Sequence, residues 1–144
     1  MSSKLKVLFL CTGNACRSQM AEGWANTLLG GAMEAFSAGI EAYGLDPIAV
    51  EVMAESGVDI SDSSSKVLDD LLHHGFDAVV TVCDRAHQNC PIFPGDAKMI
   101  HQNFDDPPHL ADRASTDVEA RGHYRRVRDE IRDFVSTLPV LLAK

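Results

Sequence analysis

The chain has 144 residues, 45% of them apolar and 24% charged, with a net charge of −8. That is enough for one domain with a proper core, and it excludes a disordered or fibrous chain. The negative balance disfavours nucleic acid as a partner, and no apolar run approaches the ~20 residues of a membrane helix.

The N-terminal MSSKLK leads straight into an apolar run with no signal-peptide pattern, so a cytoplasmic protein is expected. In that compartment four cysteines read as catalytic, redox or metal-binding groups rather than structural disulfides. The spacings Cys11 to Cys16 and Cys83 to Cys90 do not match a zinc knuckle, and the six histidines form no ligand pair. No metal and no cofactor are expected.

Val7 to Leu10 reads as the first strand and Ser18 to Asn26 as the first helix, with Met20, Ala21 and Trp24 at helical spacing. Between them lies Cys11-Thr12-Gly13-Asn14-Ala15-Cys16-Arg17-Ser18. A strand that turns sharply into a helix leaves backbone N–H groups unpaired at the positive end of the helix dipole. Gly13 is expected to supply a positive φ. Arg17 offers a forked donor for two anion oxygens. The same field, with a hydrogen bond from Ser18, favours the thiolate of Cys11. The loop thus reads as an oxyanion cradle facing a nucleophile.

Gly30-Gly31 marks a break, and Glu34 to Ser37 reads as a second strand ending at Ala38-Gly39. Asp46-Pro47 opens a helix to about Glu55, closed by Gly57. A polar loop, Ser61 to Ser65, precedes a short helix from Lys66 to about His73. Asp77 to Val82 is a continuous apolar run that suits a strand buried on both faces.

Cys83 follows that strand directly, and Cys90 lies seven residues on, two helical turns along one face. Their Cα atoms would then be about 10–11 Å apart, too far for a disulfide unless the segment unwinds. The pair therefore reads as a redox switch. Ala97 to Ile100 is a weaker fourth strand, and a long polar connection spans Asn103 to Ser115. Within it Phe104-Asp105-Asp106-Pro107-Pro108 holds a carboxyl stiffened by two prolines, a candidate proton donor. Thr116-x-x-Glu119 is a capping box for a last helix running to about Leu138. That helix carries Arg125–Asp129 and Arg126–Glu130 pairs one turn apart, so its basic cluster reads as a solvated face.

Strands alternating with helices predict one α/β domain over residues 1–144, a four-stranded parallel sheet with helices on both faces. Ligands collect at the carboxyl ends of such strands, which places Cys11 and Cys83 on one edge.

Cys-x5-Arg-Ser after the first strand resembles the active-site loop of the low-molecular-weight protein tyrosine phosphatase superfamily. CTGNACRSQMAEGW, followed by SAGIEA, is similar to its thioredoxin-coupled arsenate reductase branch. The resemblance runs from Lys6 to about Phe134. It implies arsenate as substrate, bound by residues 12 to 17, and thioredoxin as electron donor. It implies that Cys11 is the nucleophile, Cys83 and Cys90 the resolving thiols, and Asp106 the acid. It assigns Cys16 no step. Some members of this branch hold potassium between an asparagine, a glutamate, a serine and an aspartate. Asn14, Glu22 and Ser37 match the first three, but Lys66 stands at the fourth, and its ammonium is expected to pair with Glu22. A monomer is expected. The alternatives are a phosphatase of the same superfamily and a non-catalytic oxyanion-binding or redox-sensing module. Against the phosphatase, Pro108 and His109 follow Asp106-Pro107 where a ring-gripping aromatic is usual.

Overall fold

The computed structural model describes residues 4–71, 74–88 and 97–143. Strands β1 (Leu5–Cys11), β2 (Met33–Gly39), β3 (Ala78–Thr81) and β4 (Lys98–His101) form one sheet in the order β2-β1-β3-β4. All three pairings are parallel. Val7 to Leu10 and Val79 and Val80 are 0% exposed, so the central strands are covered on both faces. This explains their unbroken apolar runs.

Helix α5 (Asp117–Val135) packs against both α1 (Arg17–Leu28) and α2 (Pro47–Glu55). Trp24 Nε1 donates to the Arg128 carbonyl at 3.2 Å, tying α1 to α5. Both predicted N-cap side chains make their bonds, but the capping box is altered, since Glu119 accepts from Ser115 N rather than Thr116 N. Asp46 accepts from Ile48 N at 2.9 Å, and Thr116 accepts from Glu119 N at 3.1 Å.

Four local expectations are corrected. The connection after Asn103 is not all loop: Pro107 and Pro108 start a short helix α4 (Pro107–Ala111), because Pro fits the first helical turn. The helix expected from Lys66 to His73 is one 3₁₀ turn, Leu68–Leu71, and residues 72 and 73 lie outside the described residues. The last helix divides into α5 and α6 (Leu138–Leu142), since Pro139 cannot continue the ladder. Arg125 does not pair with Asp129. It grips Glu55 of α2 with Nε and Nη2 at 2.9 and 2.8 Å, while Arg126 keeps Glu130 at 3.1 Å. The basic cluster is therefore a seam between helices.

Candidate active site

The loop between β1 and α1 is turned inside out. Each carbonyl from Cys11 to Cys16 accepts a hydrogen bond from the protein around it. The donors are Ile40 N (3.1 Å), Glu41 N (2.9 Å), Tyr43 N (2.9 Å), the Gln19 amide (3.2 Å), Asp46 N (3.0 Å) and Met20 N (2.9 Å). Ser65 Oγ adds a second bond to the Gly13 carbonyl at 3.0 Å. With the carbonyls engaged outward, the N–H groups of residues 13 to 17 find no acceptor among the described residues. A ring of backbone donors at a helix start is an anion nest.

The turn is made differently from expectation. The positive φ belongs to Asn14 (49°), not Gly13. Asn14 tolerates that region because its side chain is bonded locally. Its Nδ2 donates to Ser18 Oγ at 2.8 Å, and its Oδ1 accepts from Lys66 N at 2.8 Å. Gly13 is needed for space: a Cβ there would lie 2.1 Å from Cδ2 of Tyr43.

Cys11 Sγ lies 2.9 Å from Ser18 Oγ. Ser18 already accepts from Asn14, so its proton is available to the sulfur. Cys16 is also buried, but its thiol is pushed well up, by burial first and then by the Asp46 carboxylate. Its buried setting therefore favours the protonated thiol. Burial, with the Asp46 hydrogen bond, likewise pushes up the Tyr124 hydroxyl, which donates to Asp46 at 2.6 Å.

A cavity of about 520 Å³ opens over the loop. Cys11, Thr12, Gly13, Ala15, Cys16 and Arg17 line it together with Asp106. Arg17 is fixed by its Nη1 bond to the Phe104 carbonyl at 2.9 Å, and its Nη2 lies 3.8 Å from Asp106. Asp106 is the N-cap residue of α4, yet its carboxylate makes no cap bond and faces the cavity instead. Asp105 is drawn away by Arg126 at 2.9 Å.

Cys83 stands at the same edge. Its sulfur is 3.3 Å from Thr12 Oγ1 and accepts from Ala86 N at 3.4 Å, at the start of helix α3 (Asp84–Gln88). Cys90 lies outside the described residues, as does the second helical turn expected to carry it.

Asn14, Glu22, Ser37 and Lys66 do not assemble as expected. Ser37 Oγ donates to Glu22 at 2.7 Å, but the Lys66 ammonium donates to the Ser64 carbonyl at 2.6 Å. While Lys66 N is held by Asn14, the ammonium folds back onto the loop two residues before it. Glu22 is pushed above the usual carboxylate range by burial, against the Ser37 bond and the Lys66 charge. No cluster of three or more metal-ligating side chains occurs among the described residues.

Three rim residues escaped the sequence reading: Tyr43, Arg85 and Asp112. Tyr43 is 61% exposed and wedged over Gly13, and Arg85 pairs with Glu41 at 3.6 Å. Only the Gly13 gap, which a ring can enter, hinted at any of them.

The model of the low molecular weight phosphotyrosine protein phosphatase family matches residues 6–144. The chain belongs to that family. Among its relatives, the arsenate reductase of Bacillus licheniformis is 49% identical over 129 residues, 90% of this chain and 91% of that one. A solved arsenate reductase in the phosphate binding state superposes with a TM-score of 0.74 at 29% identity, over 96% of this chain and 98% of that one. The thioredoxin-dependent arsenate reductase of Corynebacterium glutamicum superposes with a TM-score of 0.72 at 26% identity, over 99% of this chain and 63% of that longer one. The inverted loop between β1 and α1 therefore sits on that family's sheet. No helix among the described residues is long and apolar enough to cross a membrane.

Proposed function

We propose that this family member is an arsenate reductase working through three thiols. The observation that carries the reading is Cys83 Sγ at 3.3 Å from Thr12 Oγ1, beside the nucleophile in an anion nest. A phosphatase needs the nest, Arg17 and Asp106, but no second thiol there. The arsenate reductase relatives support the same choice.

Arsenate binds the loop N–H groups and the Arg17 fork. The Cys11 thiolate attacks arsenic, an As–S bond forms, and water leaves with a proton from Asp106. Cys83 then attacks Cys11 sulfur. The S–S bond forms as the As–S pair returns to arsenic, so As(V) becomes As(III) and leaves as arsenite. Two thiols have supplied the two electrons. Cys90 attacks Cys83, frees Cys11 and leaves Cys83–Cys90. A dithiol donor reduces that bond, and two resolving cysteines favour thioredoxin. A cytoplasmic monomer without a cofactor suffices for this cycle.

The test couples NADPH oxidation through thioredoxin reductase and thioredoxin to arsenate. Cys83→Ser and Cys90→Ser should each abolish turnover and spare any hydrolysis of an artificial phosphoester. Unchanged turnover in either variant would exclude the relay. A phosphatase side activity is favoured by one feature, the exposed Tyr43 ring on the cavity wall, which gives an aryl ester a surface.

A further inference from the structure

One imidazole outside the cavity grips the chain on both sides of Cys83. His101, the last residue of β4, has Nε2 2.8 Å from Asp84 Oδ1 and Nδ1 2.7 Å from Thr81 Oγ1. Thr81 ends β3, two residues before Cys83, and Asp84 begins α3, one residue after it. Asp84 is an acceptor only, so Nε2 carries a proton, while Nδ1 pairs with the Thr81 hydroxyl. One turn into α3, His87 stacks on the same ring with centroids 4.2 Å apart. The Asp84 N–H is fixed separately by Asn103 Oδ1 at 3.0 Å.

The start of α3 and the end of β3 together set where the thiol sits. Cys83 is only 2% exposed, and its sulfur sits against Thr12. The strand end before the thiol and the helix start after it are joined through a third element, so neither can turn without breaking a hydrogen bond to His101.

We propose that His101 is a positioning residue: with Thr81 and Asp84 it braces the turn around Cys83 and aims that thiol at the loop holding Cys11. The consequence for turnover rests on the proposed relay; the brace itself does not.

The first measurement therefore uses the reduced protein without any oxyanion. Iodoacetamide labelling is followed at Cys83 by peptide mass spectrometry. Labelling of a buried thiol proceeds through local opening, and losing the brace should speed it about tenfold. His101→Phe keeps a ring to stack on His87 and lacks both hydrogen bonds; His101→Ala lacks the ring too. Both should show the increase, with helix content and Cys11 labelling as in the parent. Asp84→Ala should also accelerate labelling, and the His101→Phe/Asp84→Ala pair should add nothing further. Unchanged Cys83 labelling in the His101 variants, or additive effects in the pair, would overturn the brace.

The second measurement is single-turnover arsenite release without an electron donor. His101→Phe should slow it about tenfold with arsenate affinity unchanged. Release at the parent rate, despite faster labelling, would overturn the positioning role. A parent that releases no arsenite while labelling responds as expected would refute the relay and leave the brace standing.

Discussion

Thr12 and Cys83 touch across the edge of the sheet, Oγ1 to Sγ at 3.3 Å, although 71 positions separate them in sequence. Thr12 is also covalently next to Cys11. The contact therefore spans two consecutive partners of the proposed relay, and it follows from β1 and β3 being parallel neighbours. Their carboxyl ends emerge together, and each is followed at once by a cysteine-bearing turn.

Ser18 joins Asn14 to Cys11 by bonds of 2.8 and 2.9 Å. Ser18→Ala removes a hydrogen bond to the attacking sulfur, worth about 1.5–3 kcal/mol when the acceptor is charged. Alkylation of Cys11 at neutral pH and kcat/KM for arsenate should both fall about ten- to a hundredfold. Stopped-flow labelling and the coupled assay check this. Parent rates in the variant would remove Ser18 from the chemistry.

Asp106 faces the cavity beside Arg17 without capping α4. Asp106→Asn keeps the shape and loses the proton. Turnover should drop about 10²–10⁴-fold while calorimetry shows sulfate binding retained. Equal turnover would rule out Asp106 as the acid.

Glu22 is a half-buried carboxyl that burial pushes up, against the Ser37 bond and the nearby Lys66 ammonium. Lys66 acts from a distance, since its direct bond is to Ser64. The expectation is activity without strong potassium stimulation. The check replaces a bulky organic cation by potassium at fixed ionic strength. A several-fold rise in kcat/KM would contradict it.

Glu55 is held down at about 2 by Arg125 first, with Arg128 adding a bond at 3.0 Å. Its folded value lies below the ordinary 4.5, so the contribution is present above that pH and fades as pH falls toward 2. Thermal melts from pH 5 to pH 3 should lose less Tm for Glu55→Gln than for the parent. The difference should shrink in high salt, because the pair is exposed. Parallel curves would show that the seam adds nothing.

Much of this was legible along the chain. Strand, Cys-x5-Arg and helix arrive in the order a nest requires, and the buried run before Cys83 points to a neighbouring strand. The Asp46 and Thr116 caps follow from local chemistry. What sequence concealed depends on distant partners. The local pattern points to Gly13 for its φ, but its value is the room it leaves for Tyr43, thirty residues on. Lys66 stands out in the sequence for its charge, but its backbone N–H holds Asn14. Arg125 was matched to a neighbour one turn away, while α2 brings it a better-shaped carboxylate. Periodicity reports which face is buried, not which side chain waits opposite.

The most direct test freezes the reaction of reduced protein with arsenate and maps sulfur linkages by peptide mass spectrometry. In Cys90→Ser the account predicts that Cys11–Cys83 accumulates, stoichiometric with arsenite released. Arsenite appearing while those two sulfurs are never found joined would contradict it.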